Sequence, residues 1–365
     1  MSFNSYFMKR QSLFKLIAVF SVAVVTLSAC GKKGESSDVV LQKFQTAVSQ
    51  ITSATSDLSI SVKGKDDKET VDFGVKATLK MDQTEKESIK TDVMLDVKGS
   101  MLSEGKSLTG ALTAGIRILG DDFYAKLEKL ETSDESVNSI RPFIQPYTGK
   151  WLHVASDFIP ENIRKISAPK DEAAMKQEEE MKKLFAESKM ITVVKEFGME
   201  KINGEKTYHY GVRFNEEGVR DYFKKVAALN NPQITEAEMQ VVEKDLNDAI
   251  KALTSVSSAE IWIGASDYLP YKGVVILSGD SFKQEGQTLP VDLKVEVTYE
   301  GSDFNKSLNL TAPEGAEEFN PLSLLTGAAS VPTSPATGTM LRPEDGSAPE
   351  VTPPAGEMTT PDTTK

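Results

Sequence analysis

The chain has 365 residues, 39% apolar content, 7% aromatic content, one cysteine and a net charge of −12, enough apolar sequence for one large globular domain or two small ones. The acidic balance argues against nucleic acid as a partner, because phosphate binding needs clustered Lys and Arg, and against electrostatic adhesion to anionic headgroups. A lone cysteine permits no intrachain disulfide, so stability has to come from the core.

The first element is a signal segment. Lys9, Arg10 and Lys15 give a positively charged start ahead of an uncharged apolar run from Leu16 to Leu27. That run is shorter than the roughly 20 apolar residues of a bilayer span, and its arrangement is that of a secretory signal, predicted over residues 1–29. Leu27-Ser28-Ala29-Cys30 closes it and resembles a bacterial lipobox. The resemblance implies cleavage before Cys30, a diacylglyceryl thioether on its sulfur and an acyl chain on the new amino group. Loss of those three cations, with no acid among residues 1–29, takes the net charge from −12 to −15. Attachment to a bacterial membrane then comes from the acyl chains, on the extracytoplasmic side. Gly31 in place of an aspartate points to the outer membrane in a Gram-negative cell; a single-membrane cell would hold the protein on the outer leaflet of its plasma membrane.

Residues 30–35 read as a polar tether and 36–325 as the folded domain. Ser36, Ser37 and Asp38 are good helix caps, and Val40, Phe44, Val48 and Ile51 recur on one helical face. From Leu58 the period becomes two. Val71, Phe73, Val75, Ala77, Leu79 and Met81 alternate with polar residues, as do Ile89, Thr91, Val93, Leu95 and Val97, and then Leu112, Ala114, Ile116 and Ile118. Such half-buried strands joined by short polar turns predict an antiparallel meander. Further strands are expected at 123–127, 150–154, 191–197, 206–214, 259–263, 271–277, 291–299 and 304–310.

Helices interrupt the strands. One is expected from Ser167 and Pro169 through Glu187, carrying Met175, Met181, Leu184 and Phe185. Another begins at Asn215, and Thr235 caps a third with Glu238 at capping-box spacing. The fold class is therefore α+β, a large curved antiparallel sheet with amphipathic helices on its apolar face. Residues 326–365, rich in Pro, Thr, Ser and Gly and without an aromatic residue, read as a disordered tail, because they bury too little apolar surface to offset ordering entropy.

Gly149-Lys150-Trp151, Asn203-Gly204-Glu205-Lys206-Thr207-Tyr208-His209-Tyr210, Glu260-Ile261-Trp262-Ile263 with Leu269-Pro270-Tyr271-Lys272, and Thr311-Ala312-Pro313-Glu314 occur in an order that resembles the LolA/LolB-like superfamily. This group includes lipoprotein carriers and mycobacterial surface-lipid carrier lipoproteins. The resemblance implies a half-barrel with helices on its concave face, enclosing a cavity for acyl chains. Apolar strand faces and flexible methionines suit such a pocket, and Phe73, Val75, Leu79, Val93, Leu95, Met181 and Phe185 are its candidate lining. The same residues can equally form a closed core.

Catalytic chemistry has little material. His153 and His209 lack a partner at metal-motif spacing. Ser167-Ala168-Pro169-Lys170 and Ser103-Glu104-Gly105-Lys106 have Ser-x-x-Lys spacing without the companion elements that such nucleophiles need. Asp121-Asp122 reads as a turn and Glu178-Glu179-Glu180 as a solvated helix face, while Trp151 and Trp262 read as core or rim residues. No enzyme activity, metal or cofactor is expected. Two functions stand: an anchored binder of a lipid, a lipoprotein acyl chain or another apolar ligand for local reception or transfer, and a structural or signalling surface lipoprotein with a filled core and a protein partner.

Overall fold

The computed structural model describes residues 35–65, 69–85, 89–103, 105–161, 164, 172–254, 256–278 and 292–320. Cys30, residues 1–29 expected as a signal, Ser167, Pro169 and residues 326–365 expected as a tail lie outside the described residues. Helix α1 (Ser37–Ser49) leads into strands β1 (Ser53–Lys65), β2 (Glu69–Asp82), β3 (Lys90–Ser103), β4 (Lys106–Leu119) and β5 (Asp122–Thr132). Two one-turn helices, α2 (Glu135–Asn138) and α3 (Arg141–Ile144), precede β6 (Trp151–Val154). Then come α4 (Glu172–Glu187), β7 (Ile191–Ile202), β8 (Glu205–Phe214), α5 (Glu216–Asn230), α6 (Glu236–Thr254), β9 (Val256–Gly264), β10 (Pro270–Ser278), β11 (Lys294–Ser302) and β12 (Glu317–Phe319).

The strands form one open sheet in the order β12-β6-β5-β4-β3-β2-β1-β11-β10-β9-β8-β7. The α+β class read from the sequence, a large antiparallel sheet with helices on its apolar face, is the observed architecture, with one addition: β12 joins β6 in parallel, whereas every other described pair is antiparallel. Register partners Ser53, Asp82, Lys90, Leu119 and Asp122 mark one end of the meander. Glu35 sits at this end, where its carboxylate accepts a hydrogen bond from Tyr268 in the β9–β10 connection at 3.2 Å and pairs with Lys43. It is called the tether end below; Lys65, Glu69, Ser103 and Lys106 lie at the far end.

Period-two alternation sends every second residue to the same face. Ile60 and Val62 of β1 share the apolar face with Val297 and Val295 of β11, Val275 and Leu277 of β10, Ala259 and Ile261 of β9, and Tyr208 and Tyr210 of β8. Over this half lie Val40, Leu41 and Phe44 of α1, Val219 of α5, and Leu246 and Ile250 of α6, which close a core with those strands. α4 packs between α1 and α5, and its Phe185 lies edge-on to Tyr222 of α5 with 6.2 Å between ring centres. The predicted capping box is formed: Glu238 Oε2 accepts from the Thr235 N–H at 2.8 Å, and the Glu238 N–H donates to Thr235 Oγ1 at 3.3 Å.

The strand expected at 304–310 is absent. Phe304 turns inward against Leu269 and Ala54, while Asp303, Asn305 and Asn309 take positive φ, which breaks an extended ladder. The segment instead becomes a strap across the polar face of the meander at the tether end. Ser53 Oγ donates to the Lys306 carbonyl at 2.6 Å, the Leu308 N–H donates to Asp82 Oδ2 at 2.9 Å, and Arg117 Nη1 donates to the Thr311 carbonyl at 2.8 Å. β12 then docks on β6, with Lys150 paired to Glu317 and His153 to Glu318, both at 2.8 Å.

Candidate functional site

The apolar face continues from the closed core onto β2, β3, β4 and β5, where its residues align in cross-strand rows. Leu79, Val93, Ile116, Ala125 and Leu152 form one; Ala77, Leu95, Ala114 and Leu127 form the next; Val75, Val97 and Leu112 form a third. Met81, Thr91, Ile118, Phe123 and Val154 complete the face at the tether end. Neighbours in a row stand about 4.5–5.5 Å apart, so they make a continuous surface. None of these positions carries an ionisable side chain.

Coverage divides the face. Ile261 and Val275 in the helix-covered half are 0% exposed, whereas Leu79 and Ile116 are 38% and 41% exposed. Most of the other residues in the open rows are half-buried. Among the described residues, the closed core draws its helical side chains onto β1 and β7–β11, and its margin falls at Val71, Phe73 and Val75 of β2. The open rows form a trough rather than an enclosed pocket.

The structure sorts the candidate lining accordingly. Leu79, Val93 and Leu95 lie on the open rows. Phe73 and Val75 lie on the same face but pack against the closed core, as does Phe185 of α4. Met181 is half-buried one turn before Phe185, on a helix whose partners are α1 and α5. Ile116, Ile118, Leu112, Leu127 and Phe123 extend the open surface beyond the sequence-derived candidates. Their signal was the same alternation, together with the register that only pairing supplies.

The opposite face has different chemistry. A shallow depression of about 550 Å³ there is lined by Asp72, Gly74, Lys98, Ser100, Thr109, Ala111, Lys129 and Glu131 among others, a charged rim unsuited to an acyl chain. Farther along the same face, His209 stacks between Phe197 and Trp262, with ring centres 4.3 and 4.0 Å away. Its Nδ1 meets Glu200 Oε1 at 2.9 Å and its Nε2 meets Glu260 Oε2 at 2.8 Å, while Trp262 Nε1 donates to Glu200 Oε2 at 2.8 Å. Those bonds, Trp262 first and His209 second, hold the Glu200 carboxyl below its usual range. His153 lies between Glu318 and Asp122, and its pKa is raised, chiefly by the Glu318 hydrogen bond. Both histidines thus brace strands. Among the described residues, no group of three or more His, Cys, Asp or Glu could hold a metal ion, and no helix is long and apolar enough to cross a membrane.

No family model matches the chain, and no curated protein matches it. Solved structures that match at low similarity include the lipoprotein LppX of Mycobacterium tuberculosis, at 12% identity and TM-score 0.28, covering 75% of this chain and 97% of that one. A DUF1329 family protein of Desulfovibrio piger matches at 9% identity and TM-score 0.20, over 74% of this chain and 95% of that one. A putative outer membrane lipoprotein-sorting protein domain of Vibrio parahaemolyticus matches at 9% identity and TM-score 0.19, over 79% and 96%. At such scores the fold assignment rests on strand order and register.

Proposed function

We propose that this chain is an extracytoplasmic lipoprotein, anchored through Cys30, that holds a lipid or lipoprotein acyl chain on the open apolar rows of β2–β5 for local reception or transfer. The observation that supports it is the uncharged trough that no described helix covers, with Leu79 and Ile116 more than a third exposed beside a core whose Ile261 and Val275 are fully buried. Apolar surface of this extent on a water-facing domain marks an interaction site. Burial is worth about 0.8 kcal/mol per CH₂, so a long acyl chain is held without any covalent step. A chain drawn from a bilayer exchanges burial among lipid tails for burial against the rows, so the better acceptor sets the direction of transfer.

The test is native mass spectrometry of the lipidated protein purified from its own membrane, with uptake of a fluorescent fatty acid by the delipidated form. Bound lipid and saturable uptake are expected; a protein that carries no lipid and takes up none is not a carrier. The second reading, a surface lipoprotein with a protein partner, draws on Ile140 and Phe143, exposed by 50% and 55% beyond β5. It gains if uptake fails.

A further inference from the structure

Glu35 is held at the tether end by Tyr268 and Lys43, and five residue steps separate it from Cys30. A fully extended chain of that length reaches about 18 Å at most. β4 runs 14 residues from Lys106 to Leu119, which at about 3.3 Å per residue makes the sheet roughly 46 Å tall. An acyl anchor on Cys30 therefore stays near one end of the sheet, unless the domain lies on its side.

That end is also where the trough is most open. Leu79 and Ile116 lie in its second row from the tether end, next to the row of Ile118 and Phe123. Val39 on the first turn of α1 and Phe158 just after β6 are 41% and 38% exposed at the same end. The helices that close the core stand over the other half of the sheet, so they do not block this approach.

We infer that the tether end of the sheet faces the anchoring bilayer, and that lipid passes between the outer leaflet and the β2–β5 rows through this end. The inference rests on lipidation of Cys30 and on the carrier reading above. The partner surface is the headgroup layer of the membrane that holds the anchor. A chain leaving it can slide along uncharged rows with the side that meets the sheet covered, and among the described residues no helix has to be displaced.

The experiment uses the full lipidated chain reconstituted in phosphatidylcholine vesicles containing doxyl-labelled lipid. Thioether formation leaves Cys30 without a free thiol, so Asp121→Cys in the β4–β5 turn at the tether end and Lys106→Cys at the first residue of β4 at the far end each introduce a single labelling site at an exposed position. Loss of fluorescence for the label at 121 and none for the label at 106 is expected. Equal loss at both positions would mean that the domain lies flat. Loss at 106 alone would place Ile140 and Phe143, rather than the tether end, against the bilayer. Either result overturns the inference, and so does a Cys30 thiol that still reacts with maleimide in the membrane-derived protein. Fatty-acid uptake is measured on the same samples: asymmetric quenching without uptake upholds the orientation and defeats the carrier reading, whereas uptake with symmetric quenching does the reverse.

Discussion

Phe73 on β2 lies directly across from Gly99 on β3, and a Cβ at Gly99 would stand 2.8 Å from Phe73 Cδ2. Gly99 is followed across the sheet by Gly110 on β4. The ring thus leans into a gap between strands at the place where the closed core gives way to the trough. Gly99→Val is expected to force the ring off that site and lower stability by about 1–3 kcal/mol. Urea unfolding checks this through a lower midpoint at unchanged slope; an unchanged midpoint means the ring swings away freely.

Leu79→Lys and Ile116→Lys place a charge on open rows that lack one. Surface substitutions usually change stability by no more than about 0.5 kcal/mol, so both variants should fold normally while losing most fatty-acid uptake. Ile261→Ala, in the covered half, should instead cost about 2–5 kcal/mol, as truncations of fully buried side chains do. Uptake that survives either lysine moves the ligand elsewhere.

The β12 latch should weaken as pH rises. The His153 pKa is raised above 6.5 when folded, first by the Glu318 hydrogen bond, with Asp122 adding to it. The protonated ring therefore adds stability that is fully present below about pH 6.5 and lost as pH climbs through the folded value. Amide protection at Glu318 and Phe319, corrected for the intrinsic rise of exchange with pH, should fall across that window, and His153→Gln should abolish the pH dependence of that protection. Protection that is flat with pH in the parent chain would show that the backbone pairing with β6 suffices.

Trp262→Phe keeps a ring on His209 but removes the donor to Glu200. Because Glu200 is half exposed, with 48% of its side chain accessible, the stability loss should be modest, about 1 kcal/mol. The sharper readout is the carboxyl titration followed by NMR. The bond from Trp262 is the first cause of its lowered pKa, so the Glu200 midpoint should rise toward the ordinary glutamate value. A midpoint that does not move would leave His209 as the controlling neighbour.

Several elements were legible residue by residue. The Thr235–Glu238 box, the helical spacing of Val40 and Phe44, and the alternation of β2 to β4 each reflect interactions confined to one segment. Failures came where a partner far along the chain decides the conformation. Phe304 to Leu310 alternates like a strand, but its polar groups bond to Asp82 and Ser53 instead of a ladder, and Arg117 holds the next carbonyl, that of Thr311. Glu317–Phe319 is too short for any periodic signal and becomes a strand only by pairing with β6. The candidate lining was divided for a related reason: Leu79 and Phe73 share a face and an alternation, and nothing local separates an open position from one at the margin of a core.

The sequence by itself determined which side of each strand is apolar, because successive side chains must point to opposite faces. Tertiary structure alone decided how much of that apolar face is covered. α4 directly precedes β7, and α5 and α6 lie between β8 and β9, so short connections hold them over the β7–β11 side of the sheet. Among the described residues the meander from β1 to β5 has no inserted helix. Its apolar rows are left open by those helices because chain connectivity, rather than residue composition, sets where they pack.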